Sequence, residues 1–116
     1  MPAIDMRNQA CIVGIGASQF GRNLDISPIR LQTEAYQAAL DDAGLKREDI
    51  DGFSTAHGAP RGSDYDEFAM HTGSSFRWAQ QYWTHARWCG SSVSSAAFAV
   101  ASGLANYVLI ANTQME

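Results

Sequence analysis

The feature that most constrains the fold is an uncharged run. Between Cys89 and Met115 no Asp, Glu, Lys or Arg occurs, in a chain where charged residues make up 17%. Such a run is either a membrane span or a segment buried in protein. The first part, CGSSVSSAAFAVASGLAN, carries Ser91, Ser92, Ser94, Ser95, Ser102, Gly103 and Asn106. A span needs about 20 strongly apolar residues, so no membrane span is expected. Burial explains the missing charge better. Val93, Ala97, Val100 and Leu104 recur at spacings of 4, 3 and 4, which predicts a helix. Its opposite face is serine and alanine, so the helix is expected to be buried on several sides. Asn106 breaks it, and YVLIA (107–111) reads as a buried strand.

The rest of the chain supplies alternating elements. ACIVGIGA (10–17) is apolar, β-branched and closed by glycines, and reads as a buried strand. Ser27 is a good N-cap and Pro28 a good first helical residue. Leu31, Ala35, Ala38, Ala39 and Ala43 then share one helical face. Gly44 is placed to end that helix in a left-handed turn, with Leu45 folded back over it. DIDGFSTA (49–56) reads as a second strand. A short helix near Asp64–Thr72 and a strand near 78–85 are expected in the less regular stretch that follows. The order β-α-β-(mixed)-α-β predicts an α/β layered fold with a mostly parallel sheet and a buried central helix. At 116 residues the chain allows one domain. Residues 1–116 are read as one segment of such a domain, because few strands remain to flank the last one.

Charge and cysteine content exclude several functions. The net charge is −4, which argues against a nucleic-acid partner. The two cysteines, Cys11 and Cys89, are far apart and are expected to be reduced thiols in a cytoplasmic protein. The start MPAIDMRNQA lacks the apolar core of a signal peptide. Gly14-Ile15-Gly16 is not followed by a glycine at 19 or by a helix start, so a dinucleotide site is rejected and the glycines are read as turn formers. His57, His71 and His85 lack metal-pair spacing, and no metal is expected. Asp64, Asp66 and Glu67 are read as charge at a helix N-terminus.

Chemistry is expected at 85–95. A thiol at a helix start has its thiolate stabilised by free N–H groups. Gly90 would let a substrate approach the backbone, and Ser91 and Ser92 could cap. Those are the needs of an acyl-accepting cysteine. The alternative is a small buried filler, since free cysteine is often buried.

Four stretches carry a family resemblance: ACIVGIGASQFGR, ALDDAGL, DIDGF and AAFAVASGLANYVLIANTQME. Together they resemble the N-terminal part of the thiolase superfamily, most nearly the lipid-transfer-protein (sterol-carrier-protein-type) thiolases and their steroid side-chain aldolase relatives. The match covers most of 10–53 and 90–116, with 57–85 poorly matched. It implies a thiolase-like fold and an acyl-CoA enzyme that makes or cleaves a carbon–carbon bond next to the thioester. The coenzyme A thioester would be substrate, with no covalently bound cofactor. A homodimer is implied, as is a small partner subunit with an OB-fold and a zinc ribbon. The nucleophile of the family sits at the start of the buried helix, so Cys89 is the candidate nucleophile, His85 a neighbouring polar group, and Gly90 and Ser91 the oxyanion and substrate contacts. Counted back from Gly103 without a gap, however, the nucleophile position falls on Ala86. Members without that cysteine resemble retro-aldolases, which need a base and a stabilised enolate oxygen. A non-catalytic lipid- or acyl-binding subunit is the remaining alternative.

Overall fold

The computed structural model describes residues 5–22, 24–56, 64–82 and 89–113. Helix α1 spans Pro28–Ala43 and starts where the sequence dictates. The Ser27 hydroxyl accepts the Arg30 N–H at 3.3 Å, and Pro28 occupies the first turn. Gly44 takes φ 69° and ends the helix, and the Leu45 N–H donates back to the Leu40 carbonyl at 3.1 Å. A one-turn 3-10 segment, Arg47–Asp49, leads into β1 (Gly52–Thr55). Helix α2 (Tyr65–Thr72), β2 (Trp78–Gln81), α3 (Cys89–Ala101) and β3 (Val108–Ile110) complete the order.

The three strands form one parallel sheet in the order β2-β1-β3. Central β1 is buried at all four positions. Alternation along it separates two faces. Phe53 points to the layer of α1 and α2, where it stacks on Phe68 with centroids 4.7 Å apart and on Phe76 at 5.3 Å. Tyr36 and Leu40 of α1 and Ile50 close this core. Gly52 and Ser54 point to the other layer, covered by α3. A side chain at Gly52 would meet Val108 and Ala105 at 2.8–3.0 Å, so only glycine fits beneath the end of α3. The result is a three-layer α/β/α arrangement.

Two expectations are corrected. Residues 10–17 form no strand, and Ile12 and Ile15 are each 76% exposed. A strand requires a paired backbone, and among the described residues none pairs with this segment. It lies instead along α1. A Cβ at Gly16 would fall 2.4 Å from the Ala35 carbonyl and the Ala39 nitrogen, and one at Gly14 2.7 Å from the Ala39 carbonyl. These glycines are therefore close-packing residues, not turn formers. The α1 alanines serve this contact, while its core side is Leu31, Gln32, Tyr36 and Leu40.

The second correction concerns α3. Its sheet-facing stripe is Ser92, Ala96 and Ala99, not Val93, Ala97, Val100 and Leu104. Small residues face the sheet because they let the helix backbone approach it closely. Val93, Phe98 and Leu104 are 42–54% exposed, so within this chain α3 is covered on one side. It ends at Ala101, before Leu104, with Gly103 at φ 79°. Among the described residues no helix is long and apolar enough to cross a membrane, and no group of three or more metal-ligating side chains occurs.

Among the described residues Tyr36 is the titratable group of the core. It is 2% exposed, and its hydroxyl makes no hydrogen bond of normal geometry, although the Ser74 side chain lies close enough to act on it. Burial pushes its phenol above the ordinary value near 10, with the Arg47 charge opposing. The fold thus favours the neutral phenol. Its contribution is complete below pH 10, where both folded and unfolded chains hold the proton, and is lost as pH rises above that. Tyr36→Phe is expected to leave stability at pH 7 unchanged or up to about 1 kcal/mol higher. It should also flatten the alkaline fall. Urea midpoints measured at pH 7 and above pH 10 check both; a midpoint that drops at pH 7 would show that the hydroxyl is bonded after all.

Candidate functional site at the carboxyl rim of the sheet

In a parallel sheet with helical crossovers, each helix runs back against the strands. The N-termini of all three helices therefore gather at the strands' carboxyl ends, where open α/β sheets bind ligands. Contacts across this rim confirm the placement. Gln32, in the second turn of α1, reaches the Ala111 carbonyl beyond β3 with its Nε2 at 3.5 Å. The Gln81 side chain, at the end of β2, accepts the Tyr65 N–H of α2 at 2.9 Å and donates to Asp64 Oδ1 at 2.7 Å. Asn112 Oδ1 accepts the Ala56 N–H at 2.9 Å, tying the ends of β3 and β1 together.

The rim is polar beneath its surface. Gln32, Ser54, Thr55, Ser92 and Thr113 are all buried. Among the described residues, the hydroxyls of Ser54, Ser92 and Thr113 have no hydrogen-bond partner. Unpaired buried hydroxyls are costly, and they concentrate here together with the start of α3.

Cys89 and Gly90 are the first two residues of α3 and Ser91 is the third. The four leading N–H groups of a helix lack intrahelical acceptors and carry the positive end of its dipole. The first turn of α3 contains no acidic residue to offset that charge, whereas α2 has Asp66 and Glu67 in its first turn. Among the described residues, a Cβ on Gly90 would meet nothing within 4 Å. The Ser94 hydroxyl donates to the Gly90 carbonyl at 3.0 Å, which stiffens the first turn. Tyr82 links the end of the sheet to α3. Its N–H donates to the Thr55 carbonyl at 2.8 Å, and its hydroxyl is hydrogen-bonded to Ser95 in the second turn.

The sequence-predicted site is thus brought together in part. Cys89, Gly90 and Ser91 stand at one helix end on the rim. Ser92 does not cap there; it faces the sheet. His85, His57 and Ala86 lie outside the described residues, and His71 sits exposed at the far end of α2. Sequence reasoning missed Asn112, Gln81 and the Tyr82–Ser95 pair. Each links residues 13–56 apart through the strand register, and no local pattern encodes that.

No protein-family model matches the chain. It is 50% identical over 50 residues to the 17-hydroxy-3-oxo-4-pregnene-20-carboxyl-CoA lyase of Mycobacterium tuberculosis, which is 43% of this chain and 13% of that protein. It is 48% identical over 46 residues to the steroid side-chain-cleaving aldolase of Thermomonospora curvata, or 40% of this chain and 12% of that one. Among solved structures, the Ltp2-ChsH2(DUF35) aldolase superposes on 85% of this chain and 26% of its own, with a TM-score of 0.74 and 36% identity. A monomeric SCP2-thiolase like protein type 1 from Mycobacterium smegmatis superposes on 90% of this chain and 23% of its own, with a TM-score of 0.71 and 24% identity. The chain spans a small part of each relative. It shares its fold with SCP2-thiolase-like proteins, and the sequence relatives named above are a pregnene-carboxyl-CoA lyase and a steroid side-chain-cleaving aldolase.

Proposed function

We propose that the chain is part of a cysteine-independent retro-aldolase that cleaves the side chain of a steroid-type acyl-CoA. The observation that supports this reading is the roughly half-identical match, over 46–50 residues, to a 17-hydroxy-3-oxo-4-pregnene-20-carboxyl-CoA lyase and a steroid side-chain-cleaving aldolase. In a retro-aldol step a base removes a hydroxyl proton. The bond between that carbon and the carbon next to the thioester carbonyl then breaks. A ketone forms on one fragment, and the electron pair passes to the thioester as an enolate, which is then protonated. The barrier falls if positive potential meets the developing oxyanion. The uncompensated N-terminus of α3 would supply it through the backbone N–H groups at Gly90 and Ser91. No side chain of this span is assigned as the base. A partner subunit of the OB-fold and zinc-ribbon type fits the reading, since the superposed aldolase is itself a two-component Ltp2-ChsH2 assembly.

Acyl transfer at Cys89 is the second reading, favoured by one observation: Cys89 is the first residue of α3. One variant separates the two. In the full-length enzyme with a steroid-type hydroxyacyl-CoA, Cys89→Ala is expected to keep kcat/KM within about twofold of the parent, because the retro-aldol step forms no thioester with the protein. A loss beyond about 100-fold, with an acyl adduct on Cys89 by mass spectrometry in the parent, would establish acyl transfer instead.

A further inference from the structure

Helix α3 rests on the central strand through a smooth contact. Its buried stripe is Ser92, Ala96 and Ala99, and β1 opposes it with Gly52 and Ser54. None of these side chains is larger than serine, so no knob sits in a hole to stop the helix from sliding or pivoting. Directional bonds do this instead. Past the far end of the helix, Asp51 Oδ1 accepts the Asn106 and Tyr107 N–H groups, each at 2.9 Å. From Cys89 to Ala101 the helix is about 18 Å long. A pivot of about 3° at its far end therefore moves its leading turn by about 1 Å. Among the described residues, one side-chain hydrogen bond joins α3 itself to the sheet, that between the Tyr82 hydroxyl and Ser95 Oγ. Tyr82 is a firm anchor. Its N–H extends the β2 ladder by donating to the Thr55 carbonyl of β1 at 2.8 Å, and Thr55 is 1% exposed. Ser95 stands about 6 Å along the helix from Ser91.

We propose that Tyr82 is a positioning residue for the retro-aldol step: through Ser95 it sets where the Gly90 and Ser91 N–H groups meet the developing enolate oxygen. The inference rests on the retro-aldolase reading and adds a residue to it. Tyr82 touches no reacting atom in this role, because its hydroxyl is engaged by Ser95. A donor stabilises an oxyanion only when it is held at hydrogen-bond distance from the place where the charge develops. A misplacement of about 1 Å can cost about 100-fold in rate. The negative charge on that oxygen builds up in the transition state. The bound thioester carbonyl is nearly neutral and feels the same displacement little. The loss therefore falls on kcat and leaves KM almost unchanged.

The test compares Tyr82→Phe, Ser95→Ala and the double variant in the full-length enzyme with a steroid-type hydroxyacyl-CoA. Each single variant is expected to lower kcat per folded molecule about 10–100-fold, with KM within about threefold of the parent. The double variant should be no worse than either single one, since both remove the same bond. Ser95→Thr keeps a hydroxyl on the same carbon and should recover most of what Ser95→Ala loses. A merely structural bond would lower the urea midpoint and leave kcat per folded molecule unchanged, and that result would overturn the proposal. So would a large loss in Tyr82→Phe with none in Ser95→Ala, which would make the phenol a direct participant. Amide hydrogen exchange separates the proposal from the reading it rests on. The Val93, Ser94 and Ser95 N–H groups close the first turns of α3 and should exchange at least about 10-fold faster in Tyr82→Phe. Those of Ser102 and Leu104, at the other end, should keep their rates. Equal exchange at 93–95 in parent and variant would overturn the proposal. If the parent leaves the steroid substrate intact while exchange accelerates as expected, the retro-aldolase reading fails and the hold of Tyr82 on the helix end stands.

Discussion

Phe53→Ala is expected to destabilise the fold by about 3–5 kcal/mol, within the range for removing a buried aromatic from a core. Phe53 is fully buried on the central strand. Its ring lies nearly parallel to that of Phe68, with an interplanar angle of 8°, and to that of Phe76 at 17°. The void cannot collapse easily, because β1 is held by β2 on one side and β3 on the other. Domains of this size have about 5–15 kcal/mol in total, so the variant would stand near its unfolding threshold. The thermal midpoint should fall by more than about 10 °C. Phe53→Leu keeps most of the volume and should cost less than half as much. A double-mutant cycle with Phe68→Ala should show a coupling of about 0.5–1.5 kcal/mol, since the two rings share one stacking contact. A loss below 1 kcal/mol for Phe53→Ala would mean that this aromatic stack does not hold the core.

How much of this was legible beforehand depends on whether the determining contacts are local. The ends of α1 were legible because Ser27, Pro28 and Gly44 act within one turn. The centres of β1, α2, β2 and β3 were legible from short apolar runs and turn residues. Residues 10–17 were not, because apolar alternation states that a segment suits a sheet but not what pairs with it. The phase of α3 was lost for a different reason. A helix built from serine, alanine and valine has little contrast around its circumference, and its bulkier residues mark the wrong face as buried. The small stripe that does face the sheet, Ser92, Ala96 and Ala99, has no bulk to mark it in the sequence. Periodicity placed the start of α3 only near Ser92, three residues after its observed start at Cys89, and the partners that shape its surroundings were not legible. Ala56 and Asn112 meet only because β1 and β3 are neighbours, and Gln81 reaches α2 only because β2 ends where α2 begins.

The same logic makes Asp51 the most consequential charged residue of the described chain. It stands immediately before β1 at the opposite end of the sheet from the rim. Its Oδ1 accepts the N–H groups of Asn106 and Tyr107, each at 2.9 Å, and its Oδ2 also lies 3.1 Å from the Asn106 nitrogen. Its backbone carbonyl accepts the Arg77 N–H at 2.7 Å, ahead of β2. One residue thus aligns the starts of all three strands and fixes the turn that joins α3 to β3. Asp51→Ala leaves two backbone N–H groups without their charged acceptor and is expected to cost about 2–4 kcal/mol. Asp51→Asn retains one carbonyl acceptor in place and should cost about half of that. The Arg77 guanidinium lies 3.8 Å from Asp51 Oδ2 and is 62% exposed, so Arg77→Ala should cost less than about 1 kcal/mol. Urea midpoints of the three variants test the order, and exchange of the Asn106 and Tyr107 amides should accelerate most in Asp51→Ala, less in Asp51→Asn and least in Arg77→Ala. If Arg77→Ala matched Asp51→Ala, the ion pair and not the backbone clamp would hold the turn. Since that turn sets where α3 lies on Gly52 and Ser54, loosening it would also shift the helix N-terminus at Cys89 on the far rim.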